Sequence, residues 1–236
     1  MSGHSKWHNI LATKTKTDAQ RSAMFTKISR EISVAVKAGG ADVNSNSRLR
    51  LAIAKARANN MPNDKINSIL KKNTEVVDYT ETTYEGYGIG GVAVIVECLT
   101  DNKNRTAGDV RHIFDKYGGS LGANGCVSYL FTKKGVVVLD KKGLDVDKAV
   151  EVAIDNGAED YEESDEELIV YTEANNFDTL AGVYRDSGYN VLSAENDMIA
   201  SNYVTLTADQ RQRFDTMIEM FEANDDVQNV YHNLDD

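Results

Sequence analysis

Residues 135–193, GVVVLDKKGLDVDKAVEVAIDNGAEDYEESDEELIVYTEANNFDTLAGVYRDSGYNVLS, alternate between the two-residue period of a strand and the longer period of a helix. The β-branched run 135–139 predicts a strand, and apolar residues at helical intervals over 146–156 predict a helix. Strands follow at 158–162 and 168–172, a helix at 177–186 and a strand at 189–193. That order, β-α-β-β-α-β, is the split βαβ or ferredoxin-like arrangement. The turn inside it holds seven carboxylates in the nine positions 159–167. It lacks the ligand order and glycine of a calcium loop and reads as a solvated turn.

Outward from this block, alternation over 82–87 and an apolar run over 92–99 predict two strands. A helix fits 105–116, closed by Gly118 and Gly119, and 126–131 reads as a strand. After the ferredoxin-like block come a short strand at 203–206, a helix at 209–223 and a strand at 227–231. The tail is expected to pack with residues 79–132. The domains are then 1–76, 77–132 with 203–236, and 133–202, in an α+β chain.

The leading segment is helical. Residues 1–17 have no apolar period and read as an arm. Thr17 and Gln20 have capping-box spacing, and Phe25, Ile28, Ile32, Ala35 and Val36 form a stripe ended by Gly39-Gly40. A second helix fits 48–58, with Arg50 and Arg57 on one flank and Arg48 and Lys55 on the other. Pro62 suits the first turn of a third helix, whose dipole is matched by Asp64 early and Lys71 and Lys72 late.

Charge divides the same way. The chain carries a formal −11, but its first 72 residues hold +10 and the remainder −21. A cationic module on an acidic chain points to a polyanion partner, driven by counterion release from phosphates. The candidate nucleic-acid ligands are Lys6, Trp7, His8, Lys14, Lys16, Arg21, Lys27, Arg30, Lys37, Arg48, Arg50, Lys55, Arg57, Lys71 and Lys72. On the first helix Lys27, Arg30 and Lys37 fall opposite the apolar stripe. Trp7 and His8 have two readings, stacking on unpaired bases or packing on the helical module. Lys103, Asn104 and Arg105, where a buried strand meets a helix, form a possible anion-binding loop; simple capping by Asn104 accounts for that residue equally well.

Other chemistries lack their residues. Gly86-Tyr87-Gly88-Ile89-Gly90-Gly91 contains G-x-G-x-x-G, yet a strand and not a helix follows, so it reads as a strand-to-strand bend. His4 and His8 lack the adjoining glutamate of a zinc protease, and four histidines do not assemble a metal or catalytic cluster. Cys98 and Cys126 read as small buried side chains. No secretory or membrane-spanning run is present, and a cytoplasmic protein with no cofactor is expected. A protein-only scaffold is the third class of function beside the DNA and ribosome readings below.

Several stretches resemble the YebC family of bacterial proteins: MSGHSKWHNI (1–10), Phe25-Thr26-Lys27, RLRLAI (48–53), ANNMP (58–62), EGYG (85–88), LTDNKNRT (99–106) and Val127-Ser128-Tyr129. The resemblance spans essentially the whole chain. It implies a helical domain followed by two mixed α/β domains, and a cytoplasmic, non-enzymatic regulator described as a probable DNA-binding transcriptional regulator. Relatives include a mitochondrial translational activator, and bacterial members are linked to ribosomes stalled on proline-rich nascent chains, so ribosomal RNA is the alternative target. Two departures stand out. Ile89 occupies a position where the family usually has proline, and Leu11-Ala12-Thr13 is less basic than the family norm.

Overall fold

The computed structural model describes residues 18–71 and 78–235. Lys6, Trp7, His8, Lys14, Lys16, Lys72 and the Thr17 end of the capping box lie outside them. Among the described residues three helices come first: α1 (Asp18–Gly39), α2 (Ser47–Ala58) and α3 (Asn63–Lys71). Ile28, Ile32, Leu49, Ile53 and Ile66 meet in one buried cluster, because the apolar stripes of all three helices converge. Each such side chain contributes about 2 kcal/mol by leaving water.

Asn46 fixes the α1–α2 corner. Its Oδ1 accepts from the Leu49 N–H at 3.0 Å, capping α2, while its Nδ2 donates to Ala35 O at 2.7 Å and Gly40 O at 2.8 Å. Gly40 ends the first helix with φ +81, a conformation glycine adopts without steric cost.

The first sheet has the antiparallel order β3-β1-β2-β8, with β1 (Thr80–Tyr87), β2 (Ala93–Thr100), β3 (Ser120–Leu121) and β8 (Val227–His232). Helices α4 (Lys103–Lys116) and α7 (Ala208–Ala223) cover the face formed by Val94, Val96 and Cys98, with Phe114, Phe214 and Phe221 at the centre. The tail therefore returns to this domain and pairs with β2. The glycine-rich segment is a strand-to-strand bend: a single 3-10 turn (Ile89–Gly91) joins β1 to β2, with Gly90 at φ +71 and Gly91 at φ +82. A side chain at Gly90 would collide with Leu206. Ile89, at the usual proline position, packs its side chain against this core. Cys98 is buried, Cys126 is half-buried, and both are free thiols.

The second sheet has the order β5-β6-β4-β7, all antiparallel, from β4 (Phe131–Asp140), β5 (Ala158–Glu163), β6 (Glu167–Glu173) and β7 (Val191–Ala200). Helices α5 (Val146–Asp155) and α6 (Phe177–Asp186) pack on it through Ala149, Ala153, Leu180 and Tyr184. This is the ferredoxin-like order read from 135–193. By backbone packing, Tyr129–Ser201 forms one compact unit, and the segments on either side of it together form the other. Among the described residues no helix is long and apolar enough to cross a membrane.

Several elements differ from the sequence reading, among them the two-residue β3, which it did not contain. Residues 126–130 are a loop and a short 3-10 turn, and the strand starts at Phe131. The cause is Glu85, whose buried carboxylate accepts the N–H groups of Gly125, Val127 and Ser128 at 2.8–2.9 Å and so withdraws them from any ladder. Burial alone would raise this carboxyl's pKa, but the three backbone donors outweigh it and hold the pKa below the usual carboxylate value. Second, 203–206 makes only one bridge, Val204 to Leu234. Third, β7 runs on to Ala200, since an edge strand tolerates the half-buried polar residues Glu195, Asn196 and Asp197.

Candidate nucleic-acid interface

Position on a helix decides whether a cation meets solvent, and distant acceptors decide whether it stays there. On α1, Lys27 and Arg30 lie away from the apolar stripe, as the periodicity predicts, but they are not open to solvent. Lys27 is 8% exposed, and its Nζ donates to Glu222 O at 2.6 Å, at the carbonyl end of α7. Burial pulls its pKa down to about 8, opposed by Glu222 and Asp225. One turn on, Arg30 Nη1 reaches Leu99 O at 3.1 Å, Asp225 O at 2.8 Å and Asp226 Oδ1 at 2.6 Å. Expected as phosphate ligands, these two side chains instead hold α1 to the end of α7.

Asp226 is the hub of that contact. Its other oxygen lies 2.8 Å from Arg105 Nη2, 2.8 Å from the Thr106 hydroxyl and 3.2 Å from the Thr100 hydroxyl. Burial pushes its carboxyl pKa up, but Arg105, Arg30 and Thr106 overcome this and hold it at about 2. Beside it lies an open cleft of about 420 Å³ lined by Arg30, Asp101, Arg105, Asp109, Asp225 and Asp226. Its carboxylates outnumber its guanidiniums, an arrangement that disfavours a phosphate. Of the proposed anion loop, Arg105 is committed to Asp226 and Asp101, while Lys103 and Asn104 remain exposed. The cap of α4 is Asn102, which accepts from the Arg105 N–H at 3.1 Å; the helix starts two residues earlier than its apolar pattern and Asn104 is not the cap.

The other cations fall into two groups. Lys55 pairs with Glu31 at 2.6 Å inside the helical module. Lys37 pairs with Asp78, and Arg48 with Glu81, across to the entry of β1. Arg21, Arg50, Arg57 and Lys71 are exposed, and among the described residues neither Arg57 nor Lys71 has an ion-pair partner. Lys65, absent from the sequence-derived set, is exposed with its ammonium 5.0 Å from the Phe25 ring centre. Its only sequence signal was a helical position near Asn63, Asn67, Ser68 and Lys71, all of which are exposed on α3. Asn63, Asn67 and Lys71 stand four residues apart in turn, one line along the helix. The connector from α2 to α3 is four residues long and turns through Asn60 at φ +57.

This architecture and its sequence have relatives. A family model described as the TACO1/YebC protein N-terminal domain matches residues 5–76, and one described as the TACO1/YebC second and third domain matches residues 79–234. A probable transcriptional regulatory protein of Clostridium botulinum (strain Okra / Type B1) is 51% identical over 239 residues, covering all of this chain and 97% of the relative. One from Geobacillus kaustophilus (strain HTA426) is 48% identical over 241 residues, covering all of this chain and 98% of that protein. The crystal structure of a conserved hypothetical protein from Aquifex aeolicus superposes with a TM-score of 0.83 at 38% identity, covering 94% of this chain and 95% of that one.

Proposed function

The chain belongs to the TACO1/YebC family, and from that premise we propose that it regulates gene expression in the cytoplasm by binding nucleic acid through its helical module, as a DNA-binding transcriptional regulator without catalytic activity. Its curated relatives carry the name probable transcriptional regulatory protein, which supports the regulatory class. The observation that carries the binding mode is the exposed polar face of α3. Asn63, Asn67 and Lys71 form a line on a helix that follows a tight connector. Asparagine can pair bidentately with adenine in a major groove that admits a helix. Arg57 and Lys71 supply phosphate contacts that position the module without reading sequence.

The test is binding by the full-length chain. Arg57→Glu with Lys71→Glu is expected to weaken binding to all sequences and lower the salt slope by about 2, roughly one for each lost phosphate contact. Asn67→Ala is expected to lose discrimination among duplex sequences while general affinity persists. Ribosome co-sedimentation runs alongside promoter occupancy. If the Arg57/Lys71 variant loses ribosome association while promoter occupancy is unchanged, transcription is rejected and ribosomal RNA becomes the target. If the unaltered chain binds neither, the nucleic-acid reading fails.

A further inference from the structure

Resting on that reading, we infer that the segment 78–81 acts as an intramolecular stand-in for phosphate: Asp78 and Glu81 occupy Lys37 and Arg48 until a nucleic acid displaces them. Both carboxylates stand at the entry of β1, three residues apart, and each holds a cation on a different helix. Lys37 sits in the last turn of α1 and Arg48 in the first turn of α2. The corner between those helices is bridged by three hydrogen bonds of Asn46, in which neither ion pair takes part. One acidic strand entry thus lies across two cations at a preformed corner, where a phosphodiester chain would lie.

Exposure separates these pairs from the docking contact. Lys37 and Asp78 side chains are 50% and 83% exposed, and Arg48 and Glu81 are 49% and 62% exposed. Asp226 is 5% exposed and held from four sides. Solvent-exposed pairs hold their partners by a factor of a few and can exchange, whereas buried ones cannot open without stranding charge. Nucleic acid presents many phosphates and releases counterions, so it outcompetes two exposed carboxylates at low salt. Lys37 and Arg48 are then conditional phosphate ligands, and Asp78 and Glu81 set the threshold at which the module engages.

The experiment compares full-length chains by titration against mixed-sequence duplex DNA and, separately, isolated ribosomal RNA. Asp78→Asn with Glu81→Gln should tighten binding to whichever probe the unaltered chain prefers by roughly fivefold at low salt, with an unchanged melting curve. In a Lys37→Gln/Arg48→Gln background the same pair of changes should add little. Asp64→Asn, which removes a charge from α3 without releasing a cation, should also change little. A gain that persists in the background without Lys37 and Arg48 assigns the effect to net charge and overturns the inference. No gain, when the unaltered chain binds, overturns it as well and leaves the proposed function standing. If no chain binds either probe, the nucleic-acid reading itself is overturned and this inference with it.

Discussion

Lys27 and Arg30 on α1 carry the same charge as Arg57 on α2 and Lys71 on α3, within one small helical module, yet their surroundings are opposite. The first pair ends among the carbonyls and carboxylate of residues 222–226. The second pair ends in water. A cation already neutralised inside the fold releases no counterion from a phosphate, so it adds nothing to affinity. Counting basic residues in the module therefore overstates its grip on a polyanion.

The strongest way to break this contrast is to remove the hub. Asp226→Ala should cost about 3 kcal/mol or more, because it leaves the buried side of Arg30 without its carboxylate and takes from Arg105 one of its two; a urea melt within 1 kcal/mol of the unaltered chain would deny the hub its role. Acid probes the same group without mutation. Its carboxyl titrates near 2 when folded, below its value of 3.8 outside the fold, so the stability it confers is complete above about pH 4. About 2 kcal/mol should then be lost as the pH falls toward 2.

Lys27 sharpens the contrast within the docked face. Its pKa falls from 10.5 to about 8 on folding, so the folded chain binds this proton less tightly than the unfolded one. Stability should rise with pH between about 8 and 10, by roughly 2 kcal/mol, and Lys27→Met should abolish that rise. An identical pH profile in the Met variant would assign the rise to other groups.

Asn46→Ala, at the corner that carries Lys37 and Arg48, should cost about 2 kcal/mol from a lost cap and two unanswered carbonyls. A cost below 0.5 kcal/mol would mean the ion pairs, and not Asn46, shape that corner. The smallest effect belongs to the exposed face. Arg57→Ala and Lys71→Ala should each leave thermal stability within about 0.5 kcal/mol while weakening nucleic-acid binding. By the same logic, reversing Lys27, Arg30, Arg48 and Lys55 together should unfold the chain, and binding lost that way would say nothing about phosphate contacts.

Much of the fold was legible because it is periodic. The 135–193 block places strand and helix patterns in an order that few sheets accommodate, and the observed β5-β6-β4-β7 order follows from it. The bend at Gly86 to Gly91 was legible because strand patterns flank it on both sides. The candidate interface was legible only as charge. Residues 126–131 have a strand-like pattern, but Glu85, some forty residues upstream, takes their N–H groups. Asn104 looked like a cap, but Asn102 stood where the backbone turned.

From the chain's order of residues alone come the helical start, the ferredoxin-like block, the glycine bend and the division of charge, since each depends on neighbours a few positions away. Tertiary structure alone decided which cations remain available. Lys27 meets Glu222 across 195 positions and Arg30 meets Asp226 across 196. Helical period sorts side chains into faces by local hydrophobicity, but whether a polar face meets water or a distant carboxylate depends on how the elements pack.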